Sequence, residues 1–501
     1  MDTEIELKLL VPADASQILE NRFFPSLAAQ VERSSFNLFN CYYDTPDSDF
    51  RKMDMGLRVR GYDGHYEQTI KTAGSTLGGL HQRPEYNVDI EGNNPDLTLF
   101  EQAIWPEQAN VEQLQQAIQI VFTTHFERVA YQVDFTNGDR VEIVFDQGKI
   151  EADGHSVPIC EMELELKQGE TTRLVELAQL LSEMLPFRLG IQSKAARGYM
   201  LAKGVELSPL EPSGCVQLVE QDNIEQAFIK AVGYVLNWWQ YHEQCYLNTE
   251  DEQALDATLN SVRMLAQLLR IYQPVFNVAE IDELLADLQK LIQQWAWVQE
   301  LNVFRMLRSE RGAFRKKLDK SAELLSYLEG RSQGLLMTHQ PQKLISSKIT
   351  ISLQLRLNLL LLQMPWRNVG DGWQGAITDF ARQTLSASLQ QVSDIMASEG
   401  AFTIEQYQQA EPRLRNVLFN GVFLADIFSA SGREQFRAPW LDILDGIEEL
   451  VIINSLQAEV RRSDIEHKQD LLDWSEEKIQ RVLDVMEQSR QAALTMQPYW
   501  Q

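Results

Sequence analysis

The feature that most constrains this chain is a change of hydrophobic period near residue 205. Before it, charged and apolar residues alternate with period two. The clearest runs are Glu4-Ile5-Glu6-Leu7-Lys8-Leu9, Leu57-Arg58-Val59-Arg60, Arg140-Val141-Glu142-Ile143-Val144-Phe145 and Cys160-Glu161-Met162-Glu163-Leu164-Glu165-Leu166. Side chains two apart on a strand share a face, so each run predicts a strand with one apolar and one charged face. Turn signals separate the runs, at Thr45-Pro46-Asp47, Asp63-Gly64, Asn137-Gly138-Asp139 and Asp153-Gly154. Helical patterns intervene over residues 13–20, 97–121 and 172–185. Residues 1–204 therefore read as a mainly antiparallel β domain with a few helices. Residues 205–216, with Pro209, Pro212 and Gly214, read as a linker. From 217 to 501 the period is 3.6 almost throughout, which predicts an all-α domain built of helix bundles. The fold class is α+β.

Charge excludes some functions. Lys and Arg total 45 against 72 Asp and Glu, a net charge of −27. The imbalance is shared, with 18 bases against 32 acids in residues 1–204 and 27 against 40 in the remainder. Affinity for nucleic acid and for anionic membranes comes from Lys and Arg, so neither is an expected partner. No run of about 18 apolar residues predicts a membrane span, and Met1-Asp2-Thr3-Glu4 does not open a signal peptide. Cys41, Cys160, Cys215 and Cys245 lie far apart without a CxxC, which suits a reducing cytoplasm and argues against a cysteine metal site. There is no GxxxxGK[ST], HExxH or GxSxG motif.

The charged faces are unusual. Glu4, Glu6 and Lys8 share one face, as do Glu161, Glu163 and Glu165, Arg58 and Arg60, and Glu67, Thr69 and Lys71. Like carboxylates roughly 6–7 Å apart repel. The faces form either a solvated exterior or the lining of a barrel. A lining with carboxylates on one side and bases on the other would hold a divalent cation and a polyanion together. Hard oxygen ligands suit Mg²⁺ or Mn²⁺, and clustered Arg and Lys donors suit phosphates.

Glu4-Ile5-Glu6-Leu7-Lys8 resembles the ExExK motif of the CYTH superfamily, the triphosphate tunnel metalloenzymes. The order that follows strengthens the resemblance. Tyr42-Tyr43-Asp44-Thr45-Pro46 is similar to YxDTP and Gly56-Leu57-Arg58-Val59-Arg60 to LRxR. Lys71 occupies the place of the xxTxK lysine, and Arg83-Pro84-Glu85 matches RxE. Glu161 to Leu166 resembles ExELEL, and Ser193-Lys194-Ala195-Ala196-Arg197-Gly198-Tyr199 resembles SKxxRGY. The resemblance covers residues 1–203, with 97–121 the least matched part. The helical remainder resembles a CHAD domain. His242 takes the place of its first histidine, but the stretch from Thr258 to Arg270 keeps only Arg263 and Arg270 of the usual basic, histidine-bearing helix.

The resemblance implies an eight-stranded antiparallel tunnel barrel and metal-dependent hydrolysis of inorganic triphosphate to diphosphate and phosphate, as in the bacterial inorganic triphosphatases. It implies polyanion contacts at Lys8, Arg58, Arg60, Lys71, Arg83, Arg128 and Lys194, with Arg197 a weaker candidate. Metal-side carboxylates are Glu4, Glu6, Asp146, Glu161, Glu163 and Glu165, the last being the one most readily read as supporting. Lys8, Glu85 and Lys194 are the catalytic candidates, with Glu85 orienting Arg83 or Lys71. The implied cofactor is Mg²⁺, with Mn²⁺ as the alternative. Alternatives of function are a polyphosphate-binding module without turnover and a triphosphatase acting on thiamine triphosphate or another organic triphosphate. His81, His125 and His242 read as packing or hydrogen-bonding residues, and residues 74–79 as a hairpin or tunnel-mouth loop. Arg305, Arg308, Arg311, Arg315, Lys316, Lys317 and Lys320 form the one basic concentration of the helical part; a solvated helix face is the simpler reading. The sequence leaves the oligomeric state open.

Overall fold

The structure, a computed structural model, describes residues 2–501 except 63, 211–213, 311, 313, 319–321, 399, 464 and 467. Asp63 of the expected turn, Pro212 of the linker, and Arg311 and Lys320 of the basic cluster lie outside the described residues, as do the side chains of Arg315 and Lys316.

The period-two runs become ten strands: β1 (Asp2–Leu10), β2 (Ala29–Asp44), β3 (Gly56–Tyr62), β4 (His65–Lys71), β5 (Ser75–Leu77), β6 (Leu80–Ile90), β7 (Gln119–Phe135), β8 (Arg140–Ala152), β9 (His155–Gln168) and β10 (Arg188–Leu189). All pair antiparallel in the order β10-β1-β9-β8-β7-β2-β3-β4-β6-β5. A further pairing of β1 with β6, with Glu4 opposite Arg83 and Glu6 opposite His81, closes eight strands into a barrel. β5 and β10 are short additions.

The barrel turns its charges inward and its apolar residues outward. Leu7, Leu9, Val133, Val141, Ile143, Met162 and Leu164 are buried in a core outside the barrel wall. The helix Thr172–Ser182 covers them with Leu174, Val175, Ala178 and Leu181. A second outer core joins Cys41, Tyr43, Leu57, Val59 and Ile70 to Phe50, Leu97, Phe100, Trp105 and Leu114. The expected helix over 97–121 is instead two single turns, Leu97–Leu99 and Gln102–Ile104, and a short helix, Val111–Ala117. Pro106 interrupts the pattern, and Asn110 restarts it by capping the Gln113 amide at 3.2 Å.

The chain divides into two compact units: residues 1–207 together with 345–363, and residues 208–344 together with 364–501. In the first, the helix Lys348–Gln363 lies on Thr172–Ser182. Ile351 and Leu355 enter the outer core there, and Leu359 and Leu362 pack against it, one apolar stripe at helical spacing. The second unit is helical, from Ile224–Thr249 and Glu252–Phe276 to Ala430–Arg462 and Lys468–Thr495. Capping boxes at Asn223/Gln226 and Thr403/Gln406 start two of its helices. The stretch Ala322–Gln363 is long and apolar enough to cross a membrane, but 56% of its most apolar window is buried and turns divide it into three helices.

Candidate active site

The barrel encloses a tunnel of about 990 Å³. Glu4, Glu6, Lys8, Arg58, Arg60, Lys71, Arg83, Glu85, Arg128, Glu163, Glu165 and Lys194 all line it. Alternation explains the gathering: apart from Lys194, each residue sits on the inward beat of its strand. Lys8 faces Glu163, Lys71 faces Glu85, and Arg128 faces Asp146, which faces Glu161.

Lys194 and Arg197 come from the helix Lys194–Ala202, which Ser193 caps by accepting from the Ala196 amide at 3.1 Å. Gly198 lets this helix approach β7; a Cβ there would stand 2.2 Å from the Phe122 ring. Tyr199 Oη donates to Asp44 Oδ2 at 3.0 Å, and Asp44 also accepts from the Thr45 and Phe50 amides at 2.8 and 3.0 Å. These contacts give the YxDTP-like and SKxxRGY-like segments a physical purpose: they seat one helix across the barrel wall.

Two ion-pair networks result. In one, Lys71 bonds Glu4 and lies 3.3 Å from Glu85, which also takes Arg58 at 3.1 Å. Glu85 thus orients Arg58 and Lys71, and Arg83 is not among its partners. In the other, Lys194 lies 2.6 to 3.0 Å from Asp146, Glu161 and Glu163. Lys8 bonds Glu163 and reaches Glu161 at 3.0 Å. Arg128 grips Asp146 with two bonds, at 2.7 and 2.6 Å, and Glu163 with a third at 3.0 Å. Asp146 and Glu161 are fully buried behind the lining, and Arg197 bonds Glu161 and the Pro158 carbonyl. Arg197 therefore supports the wall. Glu165 lines the tunnel but is tied to Lys167 at 2.6 Å.

The charges are unevenly compensated. Burial raises the carboxyls of Glu161 and Glu163, but Lys194 and Lys8 outweigh it, bringing Glu161 down to about 2 and Glu163 well below its ordinary value. Glu6 goes the other way. Burial and then Glu163 push it up to about 7, because its nearest cation, Lys8, is 3.9 Å away and held by other carboxylates. Arg60 shows the opposite deficit: burial, then Arg58 and Arg128, push its guanidinium down to about 10, and its hydrogen bond goes to neutral Asn40 at 3.0 Å. The buried Nε atoms of Arg58 and Arg83 have no hydrogen-bond partner.

Asp146, Glu161 and Glu163 bring carboxylate oxygens within 4.8 Å of one another. With the under-compensated Glu6 beside them, this all-oxygen donor set fits a hard divalent cation. Asn40, Thr69, Asn87 and His81 also line the tunnel. Only the period-two rule could have found them in the sequence, because neutral side chains carry no charge pattern. His81 Nε2 donates to the Gly190 carbonyl at 2.9 Å, so Nδ1 accepts from Thr76 Oγ1 at 3.1 Å. Burial and the Lys8 charge push it down to about 4.

The chain matches the CYTH domain over residues 2–199 and the CHAD domain over residues 230–461. It carries a CYTH domain followed by a CHAD domain. Its CYTH part is similar to an inorganic triphosphatase of Haemophilus influenzae, 36% identical over 203 residues. That alignment takes in 40% of this chain and 54% of that protein, so the chain spans about half the length of the relative. Among solved structures, a putative adenylyl cyclase from Hippeastrum, described as having a dominant triphosphatase activity, is 19% identical. It aligns over 40% of this chain and 96% of that one, with a TM-score of 0.29. The CHAD domain from the plant Ricinus communis is 15% identical over 57% of this chain and 96% of that one, with a TM-score of 0.43.

In the CHAD part, His242 is fully buried; its Nδ1 bonds the Trp238 carbonyl at 2.8 Å and its Nε2 accepts from the Leu210 amide at 3.2 Å. Both ring nitrogens are spent within the fold. Arg308 of the basic concentration is paired with Glu252 at 2.8 Å and with Glu329.

Proposed function

We propose that this protein is a metal-dependent inorganic triphosphatase. The observation that carries the reading is the pair of opposite deficits in one tunnel. On the cationic side, Arg60 bonds neutral Asn40, and the buried Nε atoms of Arg58 and Arg83 have no hydrogen-bond partner. At Glu6 a buried carboxylate lacks a close cation, since Lys8 is 3.9 Å away and held by Glu161 and Glu163. A triphosphate bound with a divalent metal ion answers both at once. The similarity to the Haemophilus triphosphatase supports the same substrate class.

Residue roles follow from the geometry. Arg58, Arg60, Arg83 and Lys71 bind the phosphate oxygens, with Arg128 completing the cationic wall. Glu85 fixes Arg58 and Lys71, while Lys8 and Lys194 keep Asp146, Glu161 and Glu163 ionised. Glu4, Glu6, Asp146, Glu161 and Glu163 would hold the metal, Mg²⁺ or Mn²⁺. When bound, it supplies charge neutralisation and activation of water. Water oxygen attacks the terminal phosphorus, the bridging P–O bond breaks, and diphosphate leaves as phosphate and a proton form. Fixed charges suit this chemistry, which depends on positioning and charge stabilisation more than on covalent catalysis.

Most of the lining is charged, which favours inorganic triphosphate over nucleotides and thiamine triphosphate. Polyphosphate is the secondary substrate class. A cytoplasmic setting belongs to the same proposal, supported by four free cysteines. The test is phosphate release by the full chain from inorganic triphosphate, ATP, thiamine triphosphate and long-chain polyphosphate, with Mg²⁺, Mn²⁺ or EDTA. Metal-dependent release chiefly from inorganic triphosphate is expected. Tight polyphosphate retention without release of phosphate would replace the hydrolase with a binding module.

A further inference from the structure

We infer that Asn358, some 280 residues downstream of the tunnel hairpin, is a positioning residue for Lys8. The inference rests on the triphosphatase reading only for its kinetic consequence. Asn358 lies on the helix Lys348–Gln363 and is fully buried. Its Nδ2 donates to the Gly78 carbonyl at 2.9 Å, while its Oδ1 has no partner. One donated bond is thus what this buried amide is spent on.

Gly78 and Gly79 are the tip of the β5–β6 hairpin. Their φ values of 53° and 85° are those of a two-residue I′ turn. The tip is pressed against β1. The Lys8 amide donates to the Gly79 carbonyl at 3.0 Å, and the Lys8 carbonyl accepts from the Gly190 amide at 2.8 Å. A Cβ on Gly190 would stand 2.8 Å from Lys8 Cγ, so the lysine stem has little room to move. His81 bonds Thr76 within the hairpin and ties it to the chain beyond β10 through the Gly190 carbonyl. Lys8 is held through its backbone by Gly79 and Gly190, and Asn358 holds Gly78, the other residue of the same two-residue turn. The side chain so aimed carries Glu161 and Glu163.

Neither Gly78 nor Lys8 belongs to the apolar core that Ile351 and Leu355 enter. The test uses the full chain with Asn358→Leu, which removes the donor at similar volume, and Asn358→Ser, which keeps a donor. Amide hydrogen exchange is followed at Lys8 and across residues 75–80, alongside kcat and KM for inorganic triphosphate. For Asn358→Leu, exchange at those sites should rise about fivefold to tenfold, the worth of one neutral hydrogen bond. kcat should fall by a similar factor with KM within about twofold, because the phosphate-binding arginines are untouched; Asn358→Ser should recover part of the loss. Unchanged exchange at the hairpin, or faster exchange with unchanged kcat, would overturn the inference. So would loss of protection spread evenly over the first unit in both variants, since Asn358 would then act through stability alone. A wild-type chain without triphosphatase activity would sink the hydrolase reading, and the exchange result would still decide the clamp.

Discussion

Replacing Leu355 by alanine tests whether the barrel depends on a segment encoded far from it. Leu355 is fully buried in the core that holds Leu7, Leu164, Leu174 and Leu181. Removing a buried leucine side chain costs about 2–5 kcal/mol, because the lost transfer energy is joined by a cavity. A central value of about 3 kcal/mol is more than a hundredfold in the opening equilibrium, against a typical domain stability of about 5–15 kcal/mol. Hydrogen exchange of the full chain, read peptide by peptide, resolves where the loss falls. Amides of β1, β9 and the helix Thr172–Ser182 should exchange roughly a hundredfold faster. Those of Ile224–Thr249 and Glu252–Phe276 should be unchanged. Less than about threefold change in the barrel amides, or a change confined to the second unit, would refute the assignment of residues 345–363 to the barrel unit. The same reasoning alters one expectation. Every proposed site residue lies before residue 205, so the sequence predicts an active 1–204 fragment. The structure predicts a fragment short of part of its outer core.

Three further outcomes are expected. Glu6→Gln should abolish metal-dependent turnover. It should also stabilise the metal-free protein at pH 8 but not at pH 5. Glu6 has a folded value near 7 above its unfolded 4.5, so its stability contribution is present below about 4.5 and is lost as pH rises through 7. Thermal melts at both pH values with EDTA check the sign. Arg60→Ala should raise KM for triphosphate about tenfold to a hundredfold, the loss of a charge-assisted contact, in steady-state kinetics. His81, near 4 in the fold against 6.5 unfolded, should lose stability as pH falls from about 6.5 to 4. The amount is on the order of 3 kcal/mol, and His81→Gln should flatten that part of the pH–stability curve.

Most of the site was legible because the barrel is charged inside. Period two put Glu4, Glu6, Lys8, Arg58 and Arg60 on charged strand faces, and the resemblance to the CYTH motifs turned those faces inward. Neutral lining residues such as Asn40 and Thr69 stand on the same beat without a chemical signature. The partners within the tunnel were less legible than its members. Arg128 meets Asp146 and Glu163, pairings that alternation within one strand does not give, because cross-strand register is set by the whole barrel. Gly432, Pro439 and Gly446 weaken the helical signal of the 33-residue helix Ala430–Arg462. Gly446 is there because Met486 occupies the space of its Cβ, at 2.4 Å. The 3.6 period marks the helix Lys348–Gln363 as helical, but an apolar stripe does not say which core it will enter.

The most direct measurement is a ³¹P NMR time course of the full chain with inorganic triphosphate and Mg²⁺, followed by addition of EDTA. The account predicts one diphosphate for each phosphate formed, and an immediate stop when the metal is removed. Triphosphate that persists unchanged, or hydrolysis that continues in EDTA, would contradict it.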